Sequence, residues 1–393
     1  MRFFSTRTLI LLTTISAPLL CSADGVVLDN GAQIEASMLF MGGNDDNVAL
    51  TNADELSSSF FESEGQFSFL INPGAFEHSL DLTFYDRRYQ DSNADNFTDW
   101  SASYLGHFEP TSRHRSDFLV SISKLHQQRG MGYTRYLEIP LSAPLEYSLS
   151  EIELSHEYGS LAASGRVGVA IRYDDFSFDN FSEFTDRLNY SSPQIKSWFN
   201  YDVGAVTSLS FDINYQTTDY DIADPDGRRD AEIMRALLGT IWSGLAKTTG
   251  KIKLGYEKRN FDDDARSDYG GLAVDIGITW KPRTYSTVDM ELTRRTSESG
   301  FSDLIVDTTL NLMWEHAWSD VTATSIVYQF LNRDEQGNFN RTEKRNFVGV
   351  AYSRQVAKWL TFNAEYNITL NRSTEAIFDY DNQVFMLGIR GFL

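Results

Sequence analysis

The chain has 393 residues, a net charge of −21, a mean hydropathy of −0.33 and a single cysteine. Such an excess of negative charge excludes a phosphate-binding surface for nucleic acid, which needs the opposite sign. The lone Cys21 excludes a disulfide framework. Aromatic residues make up 13% against only 8 Pro.

The first element is Met1–Ala23, with basic Arg2 and Arg7, an apolar stretch from Leu9 to Leu20, and small residues at the end, Cys21-Ser22-Ala23. This order predicts a secretory signal cut between Ala23 and Asp24. The apolar stretch is far short of the ~20 residues a spanning helix needs. Leu20 is bulky where a lipidation signal at Cys21 wants a small side chain. The chain therefore divides into a signal peptide, 1–23, and one remaining domain, 24–393.

Beyond residue 30, apolar and polar side chains alternate with period two, and helical periodicity is scarce. Leu360, Phe362, Ala364, Tyr366, Ile368 and Leu370 alternate with Thr361, Asn363, Glu365, Asn367, Thr369 and Asn371. Leu272, Val274, Ile276, Ile278 and Trp280 alternate with Ala273, Asp275, Gly277, Thr279 and Lys281. In chain order the strands read 32–42, 57–72, 76–89, 96–108, 115–125, 145–157, 162–174, 194–205 and 208–219. They continue as 231–243, 248–260, 270–281, 285–297, 307–318, 321–332, 343–355, 358–371 and 382–393. That is eighteen strands, with sixteen as the alternative count. About 10 residues at ~3.3 Å, tilted near 40°, cross the ~25 Å apolar band of an outer membrane.

Alternation alone suits a soluble sandwich equally well. The connections distinguish the two. Asn72-Pro73-Gly74-Ala75, Lys281-Pro282-Arg283-Thr284, Ser319-Asp320 and Val356-Ala357 are tight. Asn44–Leu56, Asp175–Pro193, Tyr220–Asp230, Asp262–Tyr269 and Ser373–Asp381 are long and acidic. Short periplasmic turns on one rim and long outer loops on the other are the pattern of a closed antiparallel transmembrane β-barrel. Such an all-β sheet, left open, would carry a long unprotected edge. The last segment, Asn382–Leu393, is expected to close it. Phe385, Leu387, Ile389 and Leu393 lie on one of its faces, Gly388 and Arg390 on the other. Aromatic residues near strand ends (Phe84-Tyr85, Trp198-Phe199, Trp280, Trp314, Trp318, Trp359, Tyr366) are candidates for membrane-interface girdles. The location implied is the outer membrane of a Gram-negative bacterium.

Several segments taken together resemble a known family. They are Gly42-Gly43-Asn44-Asp45-Asp46-Asn47-Val48, then Asn72-Pro73-Gly74, then Phe84-Tyr85-Asp86-Arg87-Arg88-Tyr89. Further along come Gly255-Tyr256-Glu257-Lys258-Arg259-Asn260-Phe261-Asp262-Asp263, Glu365-Tyr366, Asn371-Arg372-Ser373 and Asp379-Tyr380-Asp381-Asn382 before the terminal strand. In this order they resemble the Putative beta-barrel porin 2 family across essentially the whole domain. The resemblance implies an outer-membrane barrel associated with exopolysaccharide or capsule synthesis. One departure is Leu393, where such barrels most often end in Phe; Phe392 stands one place earlier.

Enzymatic motifs fail on spacing. Gly244 to Lys251 has one residue too many for a phosphate loop, and Ile252 stands where Ser or Thr would hold magnesium. Asp219, Asp221, Asp224, Asp226 and Gly227 suggest a calcium loop, but Ile222 and Ile233 fall on its first and twelfth positions. His78, His107, His114, His126, His156 and His316 show no metal-ligand spacing. No catalytic residue, cofactor or metal is expected. What remains is the lumen face, on which alternation places Arg172, Lys196, Lys251, Lys253, Lys281, Arg295 and Arg390. With them lie Asp81, Asp212, Asp275, Asp289, Glu291 and Glu365. These either brace the wall as ion pairs or line a wet passage. Phe176, Phe178 and Phe181 make the Asp175–Pro193 loop a candidate plug.

Two functions are expected from this: a porin-like channel assisting passage of exopolysaccharide or another hydrophilic solute, or a loop-plugged docking barrel that binds an export partner or surface polymer. An outer-membrane enzyme is a remote third. The expected partners are outer-membrane lipid and lipopolysaccharide, the barrel-assembly machinery, and polysaccharide or periplasmic export components.

Overall fold

A computed structural model describes residues 25–136, 141–337 and 339–393. The expected signal segment, with its cut at Ala23 and Asp24, lies outside them. A two-residue strand, β1 (Val26–Val27), precedes β2 (Gln33–Asp45), β3 (Ser58–Ile71), β4 (Phe76–Tyr89), β5 (Phe97–Thr111) and β6 (His114–Gln127). Next come β7 (Leu145–Tyr158), β8 (Gly165–Phe178), β9 (Tyr190–Asp202), β10 (Thr207–Tyr220), β11 (Ala231–Leu245) and β12 (Thr248–Phe261). The chain ends with β13 (Tyr269–Arg283), β14 (Ser286–Ser297), β15 (Leu304–Ser319), β16 (Thr322–Gln336), β17 (Arg341–Ala357), β18 (Leu360–Ser373) and β19 (Tyr380–Phe392).

From β2 onward each strand pairs antiparallel with its sequence neighbours, and β19 returns to β2 from Val384↔Asp45 to Phe392↔Ser37. The result is a closed all-β barrel of eighteen strands. In hydrocarbon every backbone N–H and C=O must find a partner within the protein, and closure supplies one without leaving an edge. Below Ser37 the lower end of β2 is covered instead by β1, which pairs with Ile34 and Gln33. The strands run from 12 residues in β14 to 17 in β17, longer than the apolar band requires. Their outer ends therefore stand above the band, where charged side chains pair across strands. No apolar pattern marks those ends in the sequence, which is why β8 runs on to Phe178, past the end its alternation suggests.

The two rims differ as anticipated. Two-residue turns such as Ala246-Lys247, Thr284-Tyr285 and Lys358-Trp359 share one rim with the start of β2 and the end of β19. Ala246 and Lys247 both take positive φ, 49° and 68°, as a twist-matched two-residue hairpin requires. On the other rim lie 46–57, 128–136, 179–189 and 221–230.

Alternation gives each strand two different faces. On β12, Ile252, Leu254 and Tyr256 are exposed, while Lys253, Glu257 and Arg259 are buried. The same division runs round the ring, through Ile171 on β8, Leu238 on β11 and Leu387 on β19. A continuous apolar exterior of this extent is stable only against lipid. Trp280, Trp318 and Trp359 are exposed close to the short turns, the last two at 61%, and Trp100 is exposed near the outer end of β5. The other strand-end aromatics divide. Phe84, Phe199 and Tyr366 face outward. Tyr85 instead turns inward to donate to Glu62, and Trp198 turns inward to donate to Glu157, so neither belongs to a girdle.

The closing seam is stitched by three of the segments that carry the family resemblance. Asn382 Nδ2 donates to Asp45 Oδ1 at 2.6 Å, and Asn47 Nδ2 donates to the Asp381 carbonyl at 2.8 Å. The Tyr89 hydroxyl reaches Asp45 Oδ2 at 3.3 Å, and Arg87 pairs with buried Glu62 at 2.6 Å. Leu39, Met41, Val48, Phe60, Tyr89, Val384 and Met386 pack beside them. These motifs hold the first and last barrel strands together.

Candidate conduction path

The strand register settles which side chains share a face, and all thirteen charged residues named above lie opposite the exposed apolar ones. Many of them pair. Arg172 binds Glu151 at 3.1 Å and Asp174 at 2.8 Å; Lys253 binds Asp212 at 2.6 Å; Lys251 binds Asp275 at 2.7 Å. Arg390 reaches Glu64 at 3.3 Å, Asp81 accepts from Ser68 at 2.6 Å, and Asp289 accepts from Thr279. Among the described residues Lys196, Lys281, Arg295 and Glu291 make no ion pair. Glu365 is buried, with Oε2 lacking a hydrogen-bond partner. The wall is thus braced in part and left with uncompensated charge in part.

The outer mouth is crossed by the first part of the β6–β7 connection, residues 128–136. It leaves the wall between β6 and β7, and the β14–β15 connection that it meets lies eight places further round the ring of eighteen, nearly opposite. There Tyr133 stacks on Phe301 with ring centroids 4.9 Å apart, lying against Gly300, where a Cβ would come within 2.6 Å of the ring. Arg187 donates to the Tyr133 hydroxyl at 3.0 Å. On a third side Arg135 pairs with buried Glu343 and donates to the Phe378 carbonyl at 2.8 Å. Gln128 donates to the Val48 carbonyl at 2.9 Å, and Arg129 pairs with Asp95. The connection is therefore a strut fixed to the wall at several points.

Phe176, Phe178 and Phe181 sit differently from their expected loop. Phe176 and Phe178 belong to β8, which extends to Phe178, and Phe181 precedes a short helix, Ser182–Thr185. They pack with Tyr133, Leu141, Leu145, Phe184 and Leu188 into an apolar cluster that seats the strut at its wall end. The bridging residues themselves, Gln128, Met131, Tyr133 and Arg135, bear no acidic run and no motif. The unusual length of that connection was the one available signal.

Neighbouring outer loops are locked to one another. Arg229 binds Asp224 at 2.6 Å and donates to the carbonyls of Ser299 at 2.6 Å and Gly300 at 2.9 Å. Arg266 binds Asp303 at 2.9 Å. Asp224, the centre of the calcium-like spacing, is thus already engaged by arginine. Burial pushes its carboxyl up, but the Asp226 N–H, Arg229 and Arg266 outweigh this and hold it below the usual carboxylate range. A depressed folded value stabilises the loops above the unfolded pKa and is lost as pH falls through the folded one. Protease nicking of residues 221–230 should therefore stay constant from neutral pH to mild acid and rise only below about pH 4. Mass mapping of limited digests across pH checks this.

Elsewhere the enzymatic resemblances dissolve. Gly244–Lys251 spans the β11–β12 turn. His114 Nδ1 and His156 Nε2 come within 3.3 Å across β6 and β7, beside Tyr158 on the membrane face, a proximity invisible in their spacing.

Comparison with known proteins supplies the remaining findings. No curated protein matches. Among solved structures, the outer membrane protein OpdK from Pseudomonas aeruginosa has a TM-score of 0.49 at 11% identity, covering 92% of this chain and 99% of that one. A BenF-like porin from Pseudomonas fluorescens Pf-5 also has 0.49 at 11% identity, covering 94% and 100%. The FrpB iron transporter from Neisseria meningitidis has 0.46 at 10% identity, and this chain spans 62% of its length. The family described as "Putative beta-barrel porin 2" matches residues 34–391, nearly the entire barrel from β2 to β19. This chain is a porin-like outer-membrane β-barrel, and it belongs to that family.

Proposed function

We propose that the protein, once Met1–Ala23 is removed, is a hydrophilic channel whose outer mouth is narrowed by the 128–136 strut. The observation that carries this reading is Lys196. It lies on the inward face of a closed ring and is nevertheless solvent-exposed. An exposed ammonium inside the wall requires a hydrated interior, because burying an unpaired charge costs several kcal/mol or more. Uncompensated lumen charges then tune which ions and solutes pass.

The cargo suggested by the family resemblance is exopolysaccharide, whose passage would require the strut to move aside. A smaller hydrophilic solute can pass beside it. Purified protein in planar bilayers should give discrete single-channel steps in potassium chloride. A silent membrane, with intact protein and with the strut shortened, would refute conduction. The strut's several wall contacts favour a second reading in that event, a plugged docking barrel for an export partner or surface polymer.

A further inference from the structure

We infer that Lys196 and Trp198 form a lumen subsite for a small organic anion, with a carboxylate on the Lys196 ammonium and a flat or CH-rich ring face against the indole. The subsite deepens the channel reading above and rests on the same wet lumen. On β9 the inward positions are Gln194, Lys196, Trp198 and Asn200. Their neighbours on β8 are small: Ala170 stands opposite Lys196 and Gly168 opposite Trp198. The wall is recessed there, and the indole lies in the recess. A Cβ on Gly168 would come within 2.1 Å of the Trp198 ring. The indole N–H donates to Glu157 Oε2 at 2.8 Å, which fixes the ring's orientation.

Lys196 makes no ion pair, and four inward carboxylates around it are each held by another cation. Asp212, cross-strand from Trp198, is bound by Lys253 at 2.6 Å. Glu157 is bound by Arg115 at 2.5 Å as well as by the indole. Glu151 and Asp174 are both bound by Arg172. The Lys196 ammonium stands 6.0 Å from the Trp198 ring, so one ligand can meet both groups. A positive charge facing an enclosed aqueous path concentrates anions, and an aromatic face adds stacking selectivity.

The test uses the full processed chain, folded in detergent, with benzoate and glucuronate as probes and glucose as the neutral comparison. Calorimetry and tryptophan emission read binding, so no current is needed. At least one carboxylate should bind, with an emission change that Trp198→Phe removes, and glucose should not bind. Lys196→Gln should weaken binding roughly ten-fold or more, with Lys196→Arg restoring most of it. Gly168→Ala, which displaces the indole, should weaken it too. Benzoate alone would assign an aromatic acid, glucuronate alone a sugar acid. Failure of both to bind, or equal binding by Lys196→Gln, overturns the subsite. Binding without conductance upholds the subsite and refutes the channel; conductance without binding refutes the subsite alone.

Discussion

Replacing the 128–144 connection with a tight turn should raise single-channel conductance roughly two-fold or more, because the narrowest cross-section of a pore dominates its resistance. The connection spans most of the mouth, from the β6–β7 wall to Phe301 on one side and Glu343 on another. Single substitutions should give graded versions of the result. Tyr133→Ala loses the stack on Phe301 and the acceptor for Arg187 while leaving the Arg135 anchor in place. Glu343→Ala removes a buried carboxylate that Arg135 and Arg341 share, a loss of ~3–5 kcal/mol for a buried pair. That energy holds the strut down, so the variant should show frequent transitions to the larger conductance. Shortening 179–189 instead should act more weakly, since those residues seat the strut and do not span the mouth. Equal conductance of the parent and the shortened strut would show that the mouth does not limit the current.

Leu254→Arg should destabilise the folded barrel in lipid by ~2–4 kcal/mol, the cost of a charge at mid-bilayer on a lipid face. Leu254 is 49% exposed at the centre of β12, between Leu238 and Val274 on the adjoining strands. Lys251→Gln, on the opposite face of the same strand, breaks a pair with Asp275 whose side chains are 27% and 24% exposed, keeps a hydrogen-bonding amide there, and should cost less, about 1 kcal/mol. Urea titration of both variants in lipid vesicles measures the contrast. Similar, small effects for the two would mean that this face does not meet hydrocarbon.

Much of this arrangement is legible before folding. The period-two pattern separates Ile252, Leu254 and Tyr256 from Lys251 and Lys253 because side chains alternate rigidly across a pleated strand. Eighteen such segments with alternately short and long connections leave closure as the one way to satisfy every backbone group. Strand ends were less legible. Phe176 and Phe178 read as loop because β8 continues past its apolar stretch into residues stabilised by cross-strand pairing with Tyr190 and Tyr147. Trp198 and Tyr85 read as girdle residues because an aromatic near a strand end fits either face. A hydrogen bond to a carboxylate decided each one.

Local alternation is a property of neighbours along the chain, so composition and order alone determined the wall, its two faces and its membrane setting. Partners far apart along the chain were decided by the tertiary structure. Asp45 meets Asn382 only once the ring closes, Tyr133 meets Phe301 only across its mouth, and Lys196 stays unpaired while Lys253, two strands and more away along the ring, holds Asp212. Contacts of that kind depend on register and barrel diameter, which are set by the closed sheet as a whole and by no single segment.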